Sequence, residues 1–252
     1  MMIDTHCHLN FEDYNNLDDI INRMKENIII VSGCDGRTNQ DVLNLCNKYD
    51  NIYGCLGIHP ESVDTATVQD LKFIEGNLNH PKIVAIGEIG LDYYWTKENK
   101  ALQKEWFQSQ IDLAKKYDKA IVVHSRDSIQ DTYDMLKNSQ VSKVDIHCFS
   151  SSLEMAEKFI KLGAKIGIGG VLTFKKSEKL KEVVKAIDLK HILLETDSPY
   201  LTPEPYRGQK NEPYNVYYVA QKIAEIKGET LENVLKETSK NAVIQFDLPI
   251  VL

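Results

Sequence analysis

Long hydrophobic runs, arginine, paired cysteines and surplus positive charge are all scarce in this chain, and each shortage removes a class of protein. No segment approaches the roughly 20 consecutive apolar residues of a membrane span, so no membrane partner is expected. The start, Met1-Met2-Ile3-Asp4-Thr5-His6, lacks the basic and apolar stretches of a secretory signal, which predicts a cytoplasmic location. The five cysteines are odd in number and show no Cys-x-x-Cys spacing. That argues against both a disulfide framework and a thiolate zinc site, and leaves most of them as small buried hydrophobes. The formal net charge is −7, with only four arginines, which does not suit a protein that clamps nucleic acid through a broad basic face. There is no internal repeat, low-complexity tract, evident linker or sign of an obligate protein partner. The four prolines between Pro199 and Pro213 suggest an ordered loop.

What the chain does have is eight short apolar runs, mostly β-branched, as buried parallel strands should be. They are Met1–Ile3, Ile28–Val31, Ile52–Ile58, Ile83–Ile86, Ala120–Val123, Val144–Ile146, Ile166–Ile168 and Ile192–Leu194. Between them apolar residues recur every three to four positions, as in Leu17-Ile20-Ile21-Met24 and Met155-Phe159-Leu162, which predicts helices. The intervals are long enough for one crossover helix each. Eight strand–helix units in 252 residues predict an α/β chain folded as one (β/α)₈ barrel domain, residues 1–252. A doubly wound open sheet competes, but it would gather its ligands at one switch point instead of from strands at both ends of the chain.

Residues of metal-binding type stand at the ends of these runs. Side chains alternate along a strand, so His6 and His8 share a face while Cys7 points away. Barrel sites form at the C-terminal ends of the strands, so Glu88, His124, His147 and Asp197 are predicted to converge with the two histidines on one mouth. Four histidines and two carboxylates exceed what one tetrahedral ion that keeps a water needs, but they suit two divalent ions sharing a carboxylate. Glu88, midway in strand order, is the expected bridge. A histidine taken alone is as readily a satisfied core residue; six such residues together are not. His80 and His191 precede their strands and belong at the opposite end.

The motifs His6-Cys7-His8-Leu9, Gly57-Ile58-His59-Pro60, Gly87-Glu88-Ile89-Gly90-Leu91-Asp92-Tyr93, His124-Ser125-Arg126-Asp127, His147-Cys148-Phe149-Ser150 and Glu195-Thr196-Asp197-Ser198-Pro199-Tyr200-Leu201 together resemble the TatD family of metal-dependent deoxyribonucleases. The resemblance runs from Asp4 to about Pro213 and is followed by a helical C-terminal region. It implies a slightly irregular amidohydrolase-like barrel with extra C-terminal helices. It also implies His6, His8, Glu88 and Asp197 around one ion and Glu88, His124 and His147 around the other, with cleavage of DNA, in much of the family 3′ to 5′ on single strands. One departure is visible. Where the family often has Arg-Gly-Lys-Arg-Asn-Glu-Pro, this chain has Arg207-Gly208-Gln209-Lys210-Asn211-Glu212-Pro213, which puts phosphate contacts at Gln209 in doubt.

The chemistry can be argued from the residues too. Two cations about 3.5 to 4 Å apart can activate a water and stabilise the attacking and leaving oxygens of a phosphodiester. Asp197 is expected to ligate an ion and to accept the proton of the attacking water, with Glu88 the other catalytic carboxylate. Glu195, two residues before Asp197 and one layer deeper, is expected to orient a ligand. For Asp4 and Asp145, also two residues before a ligand, a structural role is equally open. Arg37, Arg126 and Arg207 each follow a strand on the side of the metals, and a guanidinium fork suits phosphate. Arg126, Arg207 and His59 are the candidate phosphate contacts. Tyr93, Tyr94 and Trp95 could stack on a splayed base or simply cap the barrel.

The expected partner is therefore DNA, as single strands or 3′ ends, and the expected cofactors are two divalent ions, Mg²⁺, Mn²⁺ or Zn²⁺. The same ligands would polarise a carbonyl, so a lactonase, an amidase or a D-aminoacyl-tRNA deacylase is the alternative. A non-catalytic metal-dependent binding protein is a third, disfavoured by the complete ligand set.

Overall fold

A computed structural model describes residues 1–9, 14–95 and 97–251. Eight strands, β1 Ile3–Cys7, β2 Ile28–Ser32, β3 Ile52–Leu56, β4 Ile83–Asp92, β5 Ala120–Arg126, β6 Val144–Ile146, β7 Lys165–Ile168 and β8 Ile192–Leu194, form one sheet in sequence order. Every neighbouring pair is parallel. Helices α1 Leu17–Arg23, α2 Gly36–Lys48, α3 Val68–Asn77, α4 Lys100–Tyr117, α5 Ile129–Ser139, α6 Leu153–Lys161 and α7 Glu178–Ala186 connect them, and α8 Val216–Lys227 and α9 Leu231–Phe246 follow the last strand. This is the (β/α)₈ barrel, nearly closed. Closure is made just past β8, where Ser198 bridges Cys7 in parallel and His8 N–H donates to Ser198 O at 2.7 Å. Asp4 seals the seam: its carboxylate accepts from Thr196 N–H at 2.9 Å and from Thr196 Oγ1 at 2.6 Å.

Two apolar layers hold the barrel. One lies between strands and helices. The other fills the lower barrel with side chains such as Ile30, Tyr53, Val84, Val122 and Leu193 and is joined by Phe246 and Leu248. Asn241 of α9 donates to the carbonyls of Leu189 and Ile192, and Ser239 to that of Met1, so this helix lies across the N-terminal end of the barrel. Among the described residues no helix is long and apolar enough to cross a membrane.

Four strands depart from the apolar runs by more than one residue, β5 among them, which continues through His124 and Ser125 to Arg126. β1 starts at Ile3 and continues through polar residues, because a ladder uses only backbone groups and the side chains find internal partners: Asp4 as above, and Thr5 Oγ1 donating to Leu194 O at 3.0 Å. β3 ends at Leu56, short of Ile58, because side chains take over the next two peptides. Asn39 pairs with Gly57 and Gln110 with Ile58, each through both N–H and C=O. β4 runs on to Asp92 with its register to β5 shifting between Ile86 and Ile89, around Glu88. Gly90 has φ +140°, and a Cβ there would stand 2.0 Å from His124 O, so only glycine lets β4 approach β5 beside the site.

Candidate metal centre

The ends of β1, β4, β5, β6 and β8 bring His6, His8, Glu88, His124, His147 and Asp197 to one mouth. His8 Nδ1 lies 3.2 Å from Ser32 O. A carbonyl only accepts, so Nδ1 carries hydrogen and Nε2 is the atom turned to the cluster. His6 Nδ1 meets Ser32 Oγ at 3.2 Å, so the end of β2 aims both rings. His147 Nδ1 donates to Glu195 Oε2 at 3.0 Å, and Glu195 Oε1 also accepts from Cys148 N–H at 2.6 Å. This leaves His147 Nε2 facing Glu88 and Asp197 at 3.7 and 3.9 Å. Glu195 has room because β7 carries glycine opposite it: a Cβ on Gly167 would stand 2.5 Å from Glu195 Oε2.

Four ligand atoms crowd together here. His6 Nε2 is 3.1 Å from His8 Nε2, 3.4 Å from Glu88 Oε2 and 3.7 Å from Asp197 Oδ1. His8 Nε2 is 3.5 Å from Glu88 Oε2 and 3.4 Å from Asp197 Oδ1. Ligands about 2.0 to 2.1 Å from a tetrahedral ion are separated by about 3.3 Å, so these five separations are of the size found around a divalent cation of zinc size. Imidazole nitrogens with carboxylate oxygens are the donors such ions prefer.

The other oxygen of Glu88, Oε1, faces a different set: His124 Nδ1 at 2.9 Å, His59 Nε2 at 3.6 Å and His147 Nε2 at 3.7 Å. The expected trio of Glu88, His124 and His147 is thus only partly assembled. His59, Glu88 and His124 form one group able to hold an ion, whereas His147 groups with His6 and Glu88 and with Cys148 and Asp197. The reason is that His124 uses both nitrogens, Nδ1 on Glu88 and Nε2 on Asp92 Oδ2 at 2.9 Å. Burial opposes its charge, but the two carboxylates win and push it up to about 9.

Imidazoles surround the Glu88 carboxylate. Burial alone would raise the Glu88 carboxyl, but His59, His6 and His147 hold it well below the usual carboxylate range. Burial opposes the Asp197 charge too, and the hydrogen bond from His8 with the nearby imidazoles lowers it. Burial lowers His6 and His147, favouring neutral rings, the form able to ligate an ion. Beneath them burial pushes Glu195 up to about 8, and burial with Glu195 nearby drives Asp145 well above its ordinary value. Both Asp145 oxygens are buried without a hydrogen-bond partner among the described residues, whereas Asp4 is fully engaged in barrel closure.

The candidate substrate residues are unevenly placed. Arg126 is exposed at the mouth, its guanidinium 3.9 Å from the Tyr94 ring centre and 5.4 Å from that of Trp95. Both rings are exposed. Tyr93 corrects an expectation: it is buried, its hydroxyl donates to Asp131 and Lys100 sits over its ring, so packing and hydrogen bonding have already taken what a substrate would need. Arg207 is exposed in the loop after β8, stacked 3.9 Å over Phe174. Arg37, also exposed, pairs with Asp41 on α2. Gln209 is exposed, while Asn211 is buried and its amide donates to Thr196 O and Tyr200 O, folding the loop back toward the site. His80 and His191 precede β4 and β8, away from the mouth.

Two residues were not singled out from sequence. Asp92 holds His124 with one oxygen and the Tyr94 and Trp95 amides with the other. Its signal was present, since it lies four residues after Glu88 on the same face of one strand. Ser32 had none, because one serine at a strand end is unremarkable until the two histidine rings are seen to meet it.

Residues 3–247 match the family described as TatD related DNase. An uncharacterized metal-dependent hydrolase of Bacillus subtilis strain 168, YabD, is 43% identical over 249 residues, covering 96% of this chain and 97% of that protein. A second uncharacterized metal-dependent hydrolase, YcfH of Escherichia coli K12, is 34% identical over 252 residues, covering 95% and 93%. The crystal structure of YjjV, a TatD homologue from Escherichia coli K12, superposes with a TM-score of 0.93 at 30% identity and covers 98% of both chains.

Proposed function

This chain belongs to the TatD-related DNase family of metal-dependent hydrolases, and from that premise we propose that it hydrolyses DNA phosphodiesters, releasing nucleotides from the 3′ end of single strands. The observation that carries this reading is the division of Glu88, whose Oε2 faces His6 and His8 while Oε1 faces His59, His124 and His147. One carboxylate so placed suits two ions, with His6, His8 and Asp197 at one and His124 and His147 at the other. When bound, two divalent ions, Mg²⁺, Mn²⁺ or Zn²⁺, supply Lewis acidity at the scissile phosphate and lower the pKa of the attacking water.

The protein supplies the rest. Asp197 is the most open carboxylate of the cluster, its side chain 16% exposed against 4% for Glu88, and it takes the water's proton. As the water oxygen bonds to phosphorus, the bond from phosphorus to the 3′ oxygen breaks and that oxygen leaves with the proton Asp197 accepted. Glu195 fixes the His147 ring, and Asp92 fixes His124. Arg126 and His59 bind non-bridging phosphate oxygens, Arg207 an upstream phosphate, and Tyr94 and Trp95 stack on an unpaired base.

The test is release of mononucleotides from a single-stranded oligonucleotide across added Mg²⁺, Mn²⁺ and Zn²⁺. Wild-type protein should release 5′-mononucleotides, and Glu88→Ala should lose bound metal together with at least about a thousandfold in rate, as expected when transition-state charge loses its main stabilisation. Equal release by both proteins would remove Glu88 from the bridge. Turnover of an aminoacyl ester with no release of nucleotides would favour the deacylase reading instead.

A further inference from the structure

Beside the metal ligands lies a cavity of about 320 Å³ between the loops that follow β5 and β6. We propose that it receives the terminal nucleoside of the strand, and that Asp127 at its rim selects an end with a free 3′-hydroxyl over one that carries a 3′-phosphate. This rests on the reading above and adds which end the site accepts.

His147 belongs to both places. It lines the cavity, and its Nε2 looks at Glu88 and Asp197. A group seated in the cavity therefore has its 5′-phosphate next to the cluster, where the 3′-terminal nucleotide must sit if hydrolysis releases it as a 5′-mononucleotide. The volume falls in the range of small-molecule pockets, whose lower end is about 300 Å³, so it holds one nucleoside and not a run of them. The apolar part of its lining is Ile129, half-buried, with Ile146 and Phe149, both buried.

The rim carries one charge of each sign. Arg126 is held by its aromatic neighbours where a phosphate entering from the cluster side would pass. Asp127 is exposed and lines the same cavity. A carboxylate accepts a hydrogen bond from a hydroxyl but repels a phosphate at close range. A strand threading through would have to bring its next phosphate past Asp127; a strand that ends there brings only a hydroxyl. Ser125 offers little to a ligand, since its hydroxyl is shared with Ser128 and Thr132.

Asp127→Asn removes the charge and keeps the shape. Its backbone is left-handed, φ +54°, a conformation asparagine accepts as readily as aspartate, so the fold is retained. Metal-loaded wild-type protein should bind dAMP more tightly than deoxyadenosine 3′,5′-bisphosphate by at least tenfold in calorimetry, and should degrade a 3′-hydroxyl oligonucleotide at least tenfold faster than its 3′-phosphorylated twin. In Asp127→Asn both ratios should fall toward one, through KM more than kcat. Ser150→Trp, which fills the cavity, should weaken dAMP while bound metal stays at the wild-type level.

Equal binding of the two nucleotides by wild-type protein, or an unchanged ratio in Asp127→Asn, overturns the proposal even if the oligonucleotide is cut. If the oligonucleotide is not cut at all, the nuclease reading fails, and the calorimetry still decides the pocket: no discrimination there overturns it as well.

Discussion

Each histidine in this centre is aimed by its second nitrogen, and that is where single residues are most informative. His147 is held by Glu195, which exists in that place only because Gly167 leaves room. Glu195→Gln turns one of two accepting oxygens into a donor facing either His147 Nδ1 or the Cys148 amide, and Gly167→Ala pushes the carboxylate aside. Both should weaken metal binding tenfold to about a hundredfold, the usual cost of losing a partner behind a ligand, measured by competition with a chromophoric chelator. Unchanged affinity in both would mean Glu195 does not orient His147. His124 lends itself to a pH experiment. In the metal-free protein its folded pKa is raised to about 9 by Asp92 and Glu88 against burial, so the stability it contributes is full below its ordinary value near 6.5. That contribution is lost as pH rises through 9. An ion at His124 must displace its proton, so over the same window metal affinity should strengthen by about tenfold per pH unit for each proton displaced. Calorimetry of metal uptake in two buffers of different ionisation heat, and urea titrations of chelator-treated protein from pH 6 to 9, check the two halves.

Elements rather than residues decide why most of the barrel can be read in the sequence and part of the centre cannot. β2, β7 and β8, β6 apart from Asp145, and the first four residues of β5 stand out as apolar runs because parallel strands buried on both faces must be apolar. The ends that carry chemistry break that rule. Asp4, Thr5 and His6 continue β1 because their polar atoms find partners inside the barrel, and Gly57 and Ile58 leave β3 because Asn39 and Gln110 replace the ladder. Such partners come from distant helices, which no local pattern announces. For the same reason the six metal-type residues were visible as strand-end residues, but the pairing of His124 with Asp92 was not. α9 gives an element-scale prediction. Phe246 is 2% exposed and packs with the apolar layer that closes the barrel opposite the site. Phe246→Ala should cost about 3–5 kcal/mol in urea unfolding through the cavity it leaves. Because α9 lies at the far end, metal stoichiometry of the folded variant should stay that of wild type. A lost metal at full folding would show that the helix supports the mouth as well as the floor.

At the scale of the whole molecule, charge sets how a polyanion can be held. The chain carries a net −7, and of its four arginines only Arg126 and Arg207 are left for phosphate, since Arg23 pairs with Glu212 and Arg37 with Asp41. Long-range attraction of a polyanion is therefore weak, and on the proposed reading the divalent ions at the mouth, with Arg126, supply most of the local positive potential. Salt dependence measures this directly. For single strands the logarithm of affinity falls with the logarithm of salt with a slope of about −0.7 for each phosphate neutralised. If the side chains neutralise about two phosphates and the rest of the strand lies free, KM for an oligonucleotide should rise with a slope near 1.4, and lengthening the strand beyond a few nucleotides should not steepen it. Arg126→Ala and Arg207→Ala should each lower that slope by about 0.7 and weaken binding without regard to base sequence. A steep slope that grows with strand length would require an extended basic track, and the strand would then have to be held somewhere other than at its end.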